Sequence, residues 1–124
     1  EETTEGAIDY LVLGCGMNGH LGLNEPGTPL NSRTHISVLD EVTKRVGQKY
    51  FKQGALLSGG ITMGLANFVE AKRSVLPICG AHKRKILNEI LACDVPKTNL
   101  PASAMLLAEH ATLYCDGAAA GKAI

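Results

Sequence analysis

His20 and Glu25 stand five residues apart in the run Gly14-Cys15-Gly16-Met17-Asn18-Gly19-His20-Leu21-Gly22-Leu23-Asn24-Glu25-Pro26-Gly27. The run is too rich in glycine and proline to be a helix. An imidazole titrates near neutral pH and is suited to moving protons there. A carboxylate beside it orients the ring and stabilises its protonated form. Such a pair fits general acid–base work on a sugar or carbonyl compound. Asn18 and Asn24 share the loop, and carboxamides donate and accept hydrogen bonds as hydroxyl recognition requires. The plainer readings are a histidine that bonds only backbone and asparagines that only shape turns. For Asn18, followed by Gly19, turn geometry competes strongly. The crowding of His20, Asn18, Asn24 and Glu25 into one loop favours chemistry.

A second candidate is Lys83, in Gly80-Ala81-His82-Lys83-Arg84-Lys85, where an apolar run turns into a helical pattern. Cations in a first helical turn oppose the helix dipole, so their presence makes sense if an anion such as phosphate docks there. Arg84 and Lys85 read as a solvated basic face and His82 as an exposed side chain. Ser58-Gly59-Gly60-Ile61-Thr62 reads as a weak anion cradle or a simple helix cap. Arg33 and Lys49 are either phosphate partners or surface charge.

The elements that must hold these residues alternate between two periods. Ile8–Leu13, Ser74–Cys79 and Ala111–Cys115 are apolar runs that read as buried strands, and His35–Leu39 alternates as a short strand. Pro77 should place its part of a strand at an edge or bulge. Glu41–Phe51, Ile61–Ala71 and Ala81–Ala92 read as helices; in the last, Ile86, Leu87, Ile90 and Leu91 make one apolar stripe. Ala55–Leu57 is a short apolar run, Asp94–Pro101 a loop and Ala102–Leu107 a helical turn. Continuous apolar strands separated by helices predict an α/β fold with a mostly parallel sheet. Gly14, Gly16 and Gly19 match a dinucleotide-binding fingerprint with Asp40 downstream, but that loop must open into a helix. Gly22, Pro26, Gly27 and Pro29 forbid one here, and the glycines read as a tight loop that approaches a ligand closely.

The 124 residues suffice for one compact domain spanning 1–124. A formal net charge of zero offers no field for nucleic acid or a membrane surface, and 4% aromatic content argues against a base-stacking platform. No apolar run reaches membrane-spanning length. Cys15, Cys79, Cys93 and Cys115 show no zinc spacing and read as buried free thiols of a reduced cytoplasmic protein. The sequence opens on Glu1 and almost at once enters a strand, as a piece would whose preceding strands are absent.

Gly16-Met17-Asn18-Gly19-His20-Leu21-Gly22-Leu23-Asn24-Glu25-Pro26-Gly27, then Ser32-Arg33-Thr34, Gly80-Ala81-His82-Lys83 and Pro101-Ala102-Ser103, resemble the C-terminal half of the glucosamine-6-phosphate deaminase/isomerase family. The resemblance implies a Rossmann-like three-layer α/β fold and a cytoplasmic enzyme. Such enzymes convert glucosamine or galactosamine 6-phosphate to the ketose 6-phosphate and ammonia, with no metal or other cofactor. It implies that His20 opens the sugar ring, paired with Glu25 and with Asn18 as third member. Gly19, Asn24, Lys49 and Lys83 would bind substrate, Lys83 at its phosphate. Some members have Asp at the position of Asn18 and Arg at that of Lys49. Thr28, His35 and Ser37 occupy positions of an allosteric sugar-phosphate site in some members and lack its basic residues, so no such activation is expected. The unmatched half of the family should hold the phosphate-gripping loop and the acid that removes the proton at C2, so these 124 residues are expected to be inactive alone. A 6-phosphogluconolactonase of the same fold is disfavoured by Asn24-Glu25-Pro26, and a sugar-phosphate sensor without turnover by the intact His20 and Glu25. A partial sheet should expose apolar edges and associate, giving a homo-oligomer.

Overall fold

Apolar runs become strands here where glycine or polar turns bound them. In the computed structural model, which describes residues 6–38, 45, 47 and 58–122, the first is β1 (Tyr10–Val12). After the glycine-rich loop come β2 (His35–Val38) and β3 (Gly59–Thr62), then α1 (Leu65–Glu70) and β4 (Arg73–Ile78). A 3-10 turn (Ala81–Lys83) leads straight into α2 (Arg84–Leu91). A 3-10 helix (Pro101–Leu107), β5 (Ala111–Cys115) and the one-turn α3 (Gly117–Ala120) complete the order. The expected helix over Glu41–Phe51, the run Ala55–Leu57, Leu39 and Lys49 lie outside the described residues, apart from Arg45 and Gly47.

Three strands form a parallel sheet in the order β1-β4-β5. Its register sets Val12 against Val75 and Ile78 against Cys115. This is the α/β, parallel-sheet class read from the apolar runs. Side chains alternate across a strand, so each face can be read from the register. Leu11, Leu13, Leu76, Ile78 and Leu113 face a core built with Leu65 and Phe68 of α1, Ile86, Leu87 and Ile90 of α2, and Leu100, Ala102 and Ala104. Ser74 points the same way and is buried, its hydroxyl donating to the Phe68 carbonyl. The opposite face carries Tyr10, Val12 and Tyr114, half or more exposed. β1 is therefore shorter and less buried than Ile8–Leu13 suggested.

Pro77 sits in the central strand, not at an edge strand. Ser74 N–H bonds His110 on the β5 side, whereas Arg73 N–H bonds Asp9 on the β1 side. By the alternation of a parallel ladder, position 77 faces β1, beyond the last β1 pair, Val12 with Val75. The missing N–H falls where no ladder bond is required.

The second correction concerns Ile61 and Thr62. They belong to β3, which pairs antiparallel with β2, Ile36 opposite Ile61 and Ser37 opposite Gly60. The helix expected from Ile61 begins only at Leu65, because Gly64 closes it off. Ser58–Thr62 is thus neither anion cradle nor helix cap. The ribbon alternates sharply: Ser37 and Thr62 are buried, while Ile36, Val38 and Ile61 are about three-quarters exposed. Leu91, assigned to the apolar stripe of α2, is 68% exposed and leaves Ile86, Leu87 and Ile90 to do the packing. Of the four free cysteines only Cys15 is buried; Cys79, just past β4, and Cys115, the last residue of β5, lie at the surface, and Cys93 is half-buried.

Candidate active site

The glycine-rich loop leaves the carboxyl end of β1, where ligands meet parallel sheets. It folds back on itself through backbone bonds. Gly16 N–H reaches the His20 carbonyl at 3.0 Å, Gly19 N–H reaches the Gly16 carbonyl at 3.0 Å, and Gly22 N–H reaches the Gly14 carbonyl at 2.9 Å. Gly19 has φ +87°, a conformation that favours glycine, and lies under Leu100. Its carbonyl accepts from Ala102 N–H at 3.0 Å. Both backbone groups of Gly19 are engaged inside the protein, so what it contributes is the shape of the loop. Gly16 makes room for the His20 imidazole: a Cβ there would overlap the ring.

Inside this loop Glu25 draws two groups together. Its Oε2 accepts from Asn18 Nδ2 at 2.9 Å and lies 3.8 Å from His20 Nδ1. Asn18 Oδ1 in turn accepts from the His20 backbone N–H at 3.0 Å. Asn18 therefore shapes the turn and also ties Glu25 to the histidine's own segment. The His20 and Glu25 side chains are only 17% and 14% exposed, so their attraction is weakly screened. Thr28 fixes Glu25 from behind, with its N–H and hydroxyl on the Glu25 carbonyl at 3.0 and 2.6 Å.

Asn24 is fully buried. Its Nδ2 donates to the carbonyls of Leu21 and Met63 at 2.7 and 2.8 Å, which fixes the orientation of the amide. The side chain binds the loop to the end of β3. Thr62 Oγ1 adds a second tie by accepting from Leu23 N–H at 3.0 Å.

The Ser32-Arg33-Thr34 motif has a job its residue types did not disclose: it latches the far end of the loop onto α1. Ser32 supplies acceptors at the helix N-terminus, its carbonyl for Ala66 N–H at 2.9 Å and its hydroxyl for Leu65 N–H at 3.3 Å. Arg33 grips Glu70 with both guanidinium nitrogens, at 2.8 and 2.7 Å. That fork is the first cause holding the Glu70 carboxyl below its ordinary value. Thr34 Oγ1 lies 3.3 Å from Asn67 Oδ1. Arg33, weighed above as a phosphate partner, makes these bonds instead. An open cleft of about 580 Å³ lies between this latch and Glu25, lined also by Thr28, His35 and Ser37. It borders the acid–base pair and does not contain His20.

Lys83 comes from the adjacent strand end. β4 runs into Gly80, whose φ of +96° turns the chain, and Lys83 is the residue before α2. Burial pushes the Cys15 thiol up to about 11, and the Lys83 charge pulls against that shift. Both candidate clusters follow the carboxyl ends of neighbouring parallel strands, β1 and β4. Arg84 is not a merely solvated cation: its guanidinium donates to the Ala118 carbonyl at 3.1 and 3.4 Å. His82 is exposed, as its position suggested. Among the described residues no group of three or more His, Cys, Asp or Glu side chains could hold a metal ion.

A parallel α/β sheet with an imidazole–carboxylate pair and a lysine at its carboxyl end defines a protein of the Rossmann-like class. Over most of its length the chain is homologous to the glucosamine-6-phosphate deaminases. It is 39% identical over 112 residues to the glucosamine-6-phosphate deaminase of Bacillus pumilus, covering 90% of this chain and 46% of that one. It is 45% identical over 101 residues to that of Staphylococcus aureus, covering 77% and 40%. A solved monomeric glucosamine-6-phosphate deaminase, placed in the NagB superfamily, superposes with a TM-score of 0.83 at 36% identity, covering 91% of this chain and 47% of its own. A 6-phosphogluconolactonase of Trypanosoma brucei superposes at 0.69 with 19% identity, a likeness of fold alone. No family model matches the chain. The chain spans about half the length of the relatives it matches.

Proposed function

We propose that these residues serve a glucosamine-6-phosphate deaminase reaction, in which an amino-sugar 6-phosphate and water give a ketose 6-phosphate and ammonia. The observation that carries it is Glu25 Oε2, which accepts from Asn18 Nδ2 and lies 3.8 Å from His20 Nδ1. With Nδ1 turned to Glu25, Nε2 is the nitrogen that meets the sugar. As the imidazolium it passes a proton to the ring oxygen while the bond from C1 to that oxygen breaks, and the resulting imidazole takes up the proton that leaves the C1 hydroxyl. Glu25 stabilises the imidazolium on either side of that exchange. Lys83 binds the 6-phosphate, and Lys49, outside the described residues, keeps the substrate-binding role that the family resemblance implies. Gly19 and Asn24 shape the loop that receives the sugar. Proton transfer from C2 to C1 belongs to an acid outside the residues assigned here. Among the described residues no helix is long and apolar enough to cross a membrane. A phosphorylated substrate and free thiols fit the cytoplasm, and the open sheet face fits a homo-oligomer.

The test is ammonia release from glucosamine 6-phosphate and galactosamine 6-phosphate by protein of the relatives' length that contains these residues. Release from either, with the ketose phosphate formed in equal amount, is expected. Binding of both sugars without release, in protein of relatives' length, overturns the deaminase reading in favour of a sensor.

A further inference from the structure

The loop that carries Lys83 is held from outside, by residues the reaction itself does not use. Gly80, three residues earlier, gives its N–H to the Asp116 carboxylate, 3.0 Å from Oδ1 and 3.1 Å from Oδ2. The Gly80 carbonyl then accepts from Lys83 N–H at 3.1 Å. Two hydrogen bonds in series therefore connect the Asp116 side chain to the backbone of Lys83. Gly80 can take this position because its φ is +96° and because a Cβ there would come within 2.6 Å of the His82 ring.

Asp116 is itself fixed. It follows β5, whose last residue pairs with Ile78 at the end of β4, so register alone brings it beside the Gly80 turn. It caps α3, with Oδ1 accepting from Ala119 N–H at 2.8 Å. Those two backbone donors, Ala119 before Gly80, hold its carboxyl below the ordinary value of 3.8. On the other side of Lys83, Arg84 donates to the Ala118 carbonyl. The corner between β5 and α3 thus grips the residues on both sides of Lys83.

We infer that Asp116 is a positioning residue for Lys83, fixing through Gly80 where the lysine meets the substrate phosphate. This rests on the phosphate role proposed for Lys83. The phosphate does not react, so misplacing Lys83 should weaken binding and leave the chemical step alone.

The experiment compares Lys83→Ala, Asp116→Ala and Asp116→Asn in protein of the relatives' length that contains these residues, reading Kd for glucosamine 6-phosphate by calorimetry and kcat for ammonia release. Asn retains a cap oxygen for both donors; Ala retains none. The expected result is a Kd roughly five- to tenfold higher for Asp116→Ala, kcat within about twofold, and Asp116→Asn restored most of the way. A Kd that rises for Lys83→Ala but stays put for Asp116→Ala overturns the positioning role and leaves the phosphate site intact. A Kd unmoved by Lys83→Ala, or no binding by the unsubstituted chain, overturns the phosphate assignment and this inference together. A fall in kcat for Asp116→Ala at unchanged Kd also overturns it.

Discussion

A single carboxylate oxygen, Glu25 Oε2, organises the proposed proton-transfer residues. Because Asn18 donates to that oxygen, its amide does something an acid could not. Asn18→Asp places a second negative charge against Glu25, and like charges disfavour joint ionisation. The variant should lower kcat for ammonia release by losing that donor; an unchanged kcat would refute the contact's role. His20→Ala should lower kcat by roughly 10²-fold or more while Kd for the sugar phosphate changes little. Gly16→Ala offers a subtler version, since its Cβ overlaps the imidazole and must move it. Its turnover should fall toward that of His20→Ala, read in the same ammonia assay. The types and spacing of His20, Glu25 and Asn18 made this cluster legible before any coordinates. The burial of Asn24 was not legible, because nothing local announces that Met63, distant in sequence, supplies one of its acceptors.

At the scale of elements, short pieces are held by one another's backbone groups more than by their own length. Helices of six and four residues are too short to persist alone. α1 depends on the Ser32 latch, and Gly64 permits it: a Cβ at 64 would collide with the Ser32 and Arg33 backbone, which cannot give way as a flexible side chain could. Gly64→Ala should therefore cost roughly 2–4 kcal/mol, seen as a lower urea midpoint. α3 depends on Asp116. Its folded-state pKa is depressed, so the stability it contributes is present above 3.8 and fades as pH falls through the lower folded value. The His82 charge also favours the carboxylate and works in the same direction. Protection factors against amide exchange at Gly80 and Ala119 should fall on acidification below pH 3.8, and should already be low in Asp116→Ala. β4, α2 and β5 were readable as periodic runs. β3 was not: two glycines followed by Ile61 and Thr62 suit a helix start as well as a strand, and only pairing with β2 decides between them.

Taken whole, the described sheet has one fully packed face and one whose outer strands stand exposed around a buried Val75. Phe68, at the centre of that side, is fully buried among α1, β4 and the 3-10 helix. Phe68→Ala should cost about 3–5 kcal/mol in a denaturant titration, and loss of under about 1 kcal/mol would mean the core is not packed as described. The parallel class followed from unbroken apolar strands, but the exposure of one face did not, because Tyr10, Val12 and Tyr114 look the same in sequence whether covered or bare. Parallel sheets ordinarily hide both sides.

That bare side has an optical consequence. The chain has no tryptophan and three tyrosines, so near-ultraviolet emission comes from tyrosine. Tyr10 and Tyr114, each 59% exposed, stand on the uncovered face, while His20, Glu25 and Lys83 lie at the sheet's end. With Tyr50 replaced by Phe, iodide quenching and emission anisotropy would therefore follow whatever settles on that face without any added dye.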